Sequence, residues 1–154
     1  MKKVCIGGTF NRLHKGHRLL LSKAFETAGE NGFVFIGLAR GKLVNIKKNV
    51  KSYESRRKAL ERYLQKEGFI DRAKIVPIGK KYGLTLSHDY DYIVVSPETE
   101  KIADEINEER KKLGKKTLKI VSIPFVLSED GKPISSTRIC DNEIDENGKI
   151  ITED

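Results

Sequence analysis

The sequence predicts an α/β protein, a single domain over residues 1–154 built on a doubly wound, five-stranded parallel sheet. Two observations carry that prediction. Short apolar runs alternate along the chain with longer segments of helical periodicity. The runs are apolar nearly throughout, as strands covered on both faces are.

Val4-Cys5-Ile6 reads as the first strand. It enters Gly7-Gly8-Thr9-Phe10-Asn11-Arg12-Leu13-His14-Lys15-Gly16-His17, a strand-to-helix turn. Leu20, Leu21, Ala24, Phe25 and Ala28 then recur at helical spacing. Adjacent glycines let the backbone approach a ligand closely, and the helix start is expected to offer free N–H groups and a positive dipole end. His14 and His17, three apart there, can flank one anion.

Residues 33–38 form a second strand, and the β-α-β unit implies a parallel pair with a right-handed crossover. Residues 40–51 follow, with Arg40, Lys42, Lys47, Lys48 and Lys51 and no acid. They sit at the C-terminal end of a strand, the edge where open α/β sheets bind ligands. A second helix is expected from Tyr53, with Ser52 as N-cap and Leu60, Tyr63 and Leu64 inward. Arg56 shares that inner face and is either paired with an acid or reaching into a site.

Residues 74–78 and 92–95 are strands three and four. Ser96-Pro97-Glu98-Thr99 has helix-start chemistry, with Ser96 at the N-cap. Ile102, Ile106 and Leu113 mark the apolar face of this helix, and Gly114 stops it. Residues 118–123 are the fifth strand. Asp130-Gly131 is a turn, Ile134-Ser135-Ser136-Thr137 opens a short helix, and Asn147-Gly148 turns a small hairpin between Ile144 and Ile150. The tail after Thr152 has no assigned structure.

Composition narrows the function classes. No stretch reaches the ~20 apolar residues of a membrane span, and no signal-peptide core precedes the first strand. Cys5 and Cys140 make no disulfide framework and no zinc-type spacing, so a cytoplasmic location is expected. His88, between Ser87 and Asp89, reads as a surface residue. The formal charge of +8 divides into −5 on residues 141–154 and +13 on the 140 before them. Such a surface attracts nucleotides, phosphorylated metabolites or nucleic acid. A nucleic-acid surface interleaves basic residues with aromatics. The 40–51 loop has no aromatic, so no nucleic-acid partner is expected.

The first turn, with its H-x-G-H, resembles the first signature of the nucleotidylyltransferase superfamily. Within it, G-G-T-F-x-R-L-H-x-G-H most resembles phosphopantetheine adenylyltransferase of the archaeal and eukaryotic type. The resemblance runs in order over nearly the whole chain: Tyr53-Glu54-Ser55-Arg56, Val94-Val95-Ser96-Pro97-Glu98-Thr99, Ile134-Ser135-Ser136-Thr137 and Glu143-Ile144-Asp145. It implies a Rossmann-like fold and transfer of an adenylyl group from ATP to 4′-phosphopantetheine, with Mg²⁺ arriving on ATP and no metal held by protein side chains. The alternatives are other small-molecule adenylyl- or cytidylyltransferases, with nicotinamide mononucleotide, FMN or glycerol phosphate as acceptor.

By that resemblance His17 stabilises charge at the phosphates, and His14 contacts the triphosphate with Gly8, Thr9 and Phe10. Ser135, Ser136 and Thr137 meet the β- and γ-phosphates. Lys47 is the best match to the lysine that holds the acceptor phosphate. Lys42 and Lys48 are its rivals, and Thr9 and Arg56 stand beside them. Two departures are visible. Asn11 stands where Asp is usual, and Cys140 stands where the second signature usually ends in Arg. The charge missing at Cys140 is either supplied from a distance, as by Arg12, Lys42 or Lys48, or partly absent. Arg138, two helix positions away, points elsewhere. The sequence leaves the oligomeric state undetermined.

Overall fold

A computed structural model describes residues 1–44 and 49–151. Its parallel sheet is formed by β1 (Lys3–Gly8), β2 (Phe33–Ala39), β3 (Ala73–Ile78), β4 (Tyr92–Val95) and β5 (Lys119–Ser122), in the order β3-β2-β1-β4-β5. The helices are α1 (Lys15–Ala28), α2 (Tyr53–Lys66), α3 (Glu100–Lys112) and the short α4 (Ser136–Cys140).

Successive residues of a strand face opposite sides of the sheet, and here both sides are covered. Val4 and Ile6 of β1, Val34, Ile36 and Leu38 of β2 and Val94 of β4 pack with Leu21, Ala24, Leu60 and Leu64 of α1 and α2. Cys5, Ile93 and Val95 face the other way, onto Ala103 and Ile106 of α3. This explains why the strands read as continuous apolar runs. It also holds the Cys5 thiol buried, pushed up to about 12 and inert as a nucleophile.

Strand order reverses beside β1. The chain leaves β1 toward β2 and β3 on one side, then returns to β4 and β5 on the other. The C-terminal ends of β1 and β4 therefore diverge into a crevice, the topological switch point of such sheets.

Two local expectations need correction. The helix after β4 begins at Glu100, with Thr99 at the cap position, and not at Ser96. Residues 96–99 close a turn of their own, in which the Thr99 and Glu100 N–H groups donate to Ser96 O at 3.0 Å each. The Thr99 hydroxyl meanwhile accepts from Ser96 N–H at 3.1 Å. Leu113 is exposed, and the position that continues the buried face of α3 is Arg110, only 1% exposed. Its guanidinium donates to the carbonyls of Lys116, Thr85 and His88 and to the Asp89 carboxylate. Arg110 thereby ties residues 79–91, a run of turns, onto α3. Ser52 caps α2 as expected, accepting from Ser55 N–H.

Candidate active site

The crevice opens into a cavity of about 1100 Å³. It is lined by Gly8, Thr9, Phe10, His14 and His17 from the first turn, and by Ser135, Ser136 and Thr137 from the second motif. More than a hundred residues apart in sequence, the two motifs share one wall. The same cavity is also lined by a group of largely apolar residues, Phe35, Gly37, Val76, Ile78, Tyr82 and Leu84. A Cβ on Gly37 would lie 3.1 Å from Ile78 Cδ1, close enough that the Ile78 side chain would have to give way.

The first turn is held tightly. Phe10 is buried with φ 48°, a left-handed conformation that is costly for a bulky residue. It folds its ring back over Gly8, where a Cβ would stand 3.1 Å from that ring, and against His17 at 5.1 Å between centroids. The expectation of free N–H groups at the start of α1 does not hold. Lys15 N–H donates to Glu146 O at 2.9 Å. Gly16 and His17 N–H point at His14 Nδ1 at 3.0 and 3.4 Å, and Arg18 N–H donates to His14 O at 3.0 Å. His14 is thus the N-cap, doing with an imidazole what Ser or Asp usually does. An anion here meets histidine rings and hydroxyls, not the first backbone N–H groups of α1.

Burial lowers both histidines. His14 falls to about 3, with His17 and Arg18 contributing, and His17 falls to about 4 although its bond to Arg12 O opposes the shift. Both rings are neutral in the free protein at pH 7.

Asn11 is buried and bridges two strands of chain. Its Nδ2 donates to Asn49 O at 2.9 Å, and its Oδ1 accepts from Lys51 N–H at 2.7 Å. Arg56 is 2% exposed and pairs with no acid among the described residues. It donates to the carbonyls of Lys51, Thr9 and Ala39 at 2.9, 2.9 and 2.7 Å. It does not line the described cavity, contrary to the reading that it reaches into the site. Asn11 and Arg56 together fasten the end of the basic loop to the first motif.

Lys47 and Lys48 lie outside the described residues. Lys42 is exposed and off the described cavity wall, although the adjacent Leu43 is on it. At the second motif Ser135 caps α4, accepting from Arg138 N–H at 3.2 Å. Arg138 does point away from Cys140, into Asp130, Glu143 and Ser128. Cys140 is met by Arg12, whose Nε donates to Sγ at 3.3 Å.

Sequence reasoning missed the segment 79–91, whose Lys81, Tyr82, Leu84 and Tyr90 line the cavity. It lacks periodicity, and its lining role depends on Arg110 and on the Lys81–Glu105 pair at 2.8 Å. The doublet Lys80-Lys81 before Tyr82-Gly83 was the only signal.

The cytidylyltransferase-like family profile matches residues 5–142. A phosphopantetheine adenylyltransferase from Methanopyrus kandleri is 49% identical over 148 residues, 94% of this chain and 92% of that protein. One from Methanosarcina barkeri is 46% identical over 151 residues, 97% of this chain and 93% of that protein. A crystal structure of a protein of unknown function from Archaeoglobus fulgidus superposes with a TM-score of 0.72 at 37% identity, covering 80% of this chain and 89% of that one.

Proposed function

This chain belongs to the cytidylyltransferase-like family, among the phosphopantetheine adenylyltransferases, and on that premise we propose that it transfers the adenylyl group of ATP to 4′-phosphopantetheine, giving dephospho-coenzyme A and pyrophosphate. The observation that carries the proposal is the shared wall. Two motifs suited to a polyphosphate line one cavity together with a group of largely apolar residues. The motifs suit a triphosphate and the apolar residues the pantetheine chain.

The chemistry needs little from the protein beyond placement and charge. A phosphate monoester is already mostly ionised at neutral pH, its second pKa being about 6. One of its oxygens attacks the α-phosphorus, and the bond from that phosphorus to the α–β bridging oxygen breaks as pyrophosphate leaves. No general base is required. His14 and His17 donate to phosphate oxygens, and charge builds there as the bond breaks. The hydroxyls of Ser135, Ser136 and Thr137 hold the departing phosphates. Thr9 and Phe10 fix the turn between the two substrates. Lys42, Lys47 and Lys48 remain the candidates for the acceptor phosphate, with Arg56 anchoring their loop.

Mg²⁺ enters as part of the same proposal. The described wall carries two carboxylates, Glu98 and Asp141, on different segments. A divalent ion arriving with ATP would take most of its oxygens from the triphosphate and water. It supplies charge neutralisation at those oxygens.

No described helix is long and apolar enough to cross a membrane. A cytoplasmic enzyme that binds no nucleic acid fits the reading. The test is pyrophosphate release with ATP or CTP and each phosphorylated acceptor in turn. Release with ATP and 4′-phosphopantetheine alone is expected. Release only with CTP moves the chain to the cytidylyltransferases.

A further inference from the structure

The two histidines of the first motif hold opposite tautomers. His14 Nδ1 receives the N–H groups of Gly16 and His17. Backbone N–H groups only donate, so this nitrogen is bare and the neutral ring keeps its proton on Nε2. His17 Nδ1 lies 2.8 Å from Arg12 O. A carbonyl only accepts, so this nitrogen carries the proton and Nε2 is the bare one. The His14 N–H also approaches His17 Nδ1, at 3.4 Å, but the nearer carbonyl decides the assignment. The rings stack at 3.8 Å between centroids.

Against an anion the two rings are not equivalent. His14 can donate through Nε2 at no change of charge. Neutral His17 would turn a lone pair toward a phosphate oxygen, a repulsive contact. Protonated, it donates at Nε2 and keeps its bond to Arg12 O. Protonating His14 instead would set a new N–H against the two N–H groups it caps. We propose that ATP binding takes up one proton, and that this proton resides on Nε2 of His17 while His14 stays neutral. The proposal rests on the nucleotide-site reading above.

The surroundings of His17 are consistent with this. Its neighbours are the His14 ring, the Phe10 ring and the Arg12 carbonyl, and Arg18 acts on His14 from the next turn. Glu98 and Asp141, the two acids on the described wall, pair with neither ring. Among the described residues no carboxylate therefore holds the proton before ATP arrives, and burial keeps the free ring neutral, at about 4. The proton comes from solvent together with the polyphosphate.

Two measurements test this. Calorimetry of ATP binding at pH 8, in buffers of differing ionisation enthalpy, reads the protons taken up. The triphosphate is then fully ionised itself. The expected uptake approaches one for the wild type, stays so in His14→Gln, and falls to zero in His17→Gln. ATP affinity should weaken by up to tenfold per pH unit between the pKa of the free ring and that of the bound ring, and level off above the latter. Because either variant can disturb the turn, nitrogen NMR of the wild-type imidazoles provides the second reading. Free protein should show Nε2–H on His14 and Nδ1–H on His17, and ATP should protonate only His17. ATP binding without proton uptake, or a proton gained on His14, overturns the proposal alone. No ATP binding at all overturns the nucleotide-site reading and this inference with it.

Discussion

Asn11→Asp exchanges one atom in a buried bridge. The amide now donates to Asn49 O and accepts from Lys51 N–H, at 2.9 and 2.7 Å. A carboxylate keeps the second bond, strengthened by its charge, and sets an oxygen against the Asn49 carbonyl in place of the first. Losing a hydrogen bond while leaving a buried acceptor unsatisfied costs about 1–3 kcal/mol. With the stronger Lys51 bond offsetting part of that, the net loss should be about 1–2 kcal/mol. For a domain of this size that is a fall in Tm of about 2–8 °C. Burial and the facing carbonyl raise the folded pKa of the new carboxyl above its unfolded value of about 3.9. The folded state then binds the proton more tightly, so the deficit is full above the folded pKa and closes as pH falls through it, where the protonated group can again donate to Asn49 O. The assay is thermal unfolding of both proteins at pH 8 and pH 5, with acceptor KM measured alongside. Equal Tm at pH 8, or a deficit that does not shrink at pH 5, would refute the bridging role of Asn11.

Other outcomes follow from the same geometry. His17→Ala should lower kcat by roughly 10²–10³, the scale of one lost donor to transition-state charge; a drop of only a few-fold would make His17 structural. Arg12→Ala should raise the ATP KM several-fold, because Arg12 is the cation held against Cys140 at the second motif, and an unchanged KM would leave the missing charge unsupplied. Arg110→Met should raise the acceptor KM more than the ATP KM, since Tyr82 and Leu84 of segment 79–91 are among the apolar residues lining the cavity; equal changes in both would point to general unfolding. Both motif histidines have folded pKa values below the ordinary 6.5, so the folded state binds fewer protons than the unfolded one, and stability should fall as pH drops from about 6.5 toward 4 and 3. His14→Gln and His17→Gln should flatten that slope in urea titrations run between pH 7 and 4.

The sheet was legible because each strand is buried on both faces and has to be apolar throughout. The cap at Ser52 was legible because a hydroxyl just before a periodic segment can take an orphan N–H of the first turn, here that of Ser55. What escaped was long-range hydrogen bonding by polar side chains. Asn11 looked like a lost charge, and it is a two-way amide bridge that a carboxylate would make only by half. Arg56 offered two alternatives, an acid partner or a site contact, and it takes backbone carbonyls instead. Arg110 gave no signal, because a buried arginine on a highly charged helix has the same spelling as an exposed one. Whether the first N–H groups of α1 are free depends on Glu146 and His14, and no local pattern announces a carbonyl 131 positions away.

That carbonyl also sets an order of events. Lys15 N–H on Glu146 O, Arg18 on the Asn147 side chain and Arg12 on Cys140 join the first helix turn to residues 140–147. The sheet itself needs nothing beyond residue 122. Closing a loop of that length comes late, after local and strand contacts have restricted the chain. A growing chain should therefore have its layered body before the phosphate end of its cavity exists. Fragments ending near residue 125 would be expected to show native-like circular dichroism and no grip on ATP.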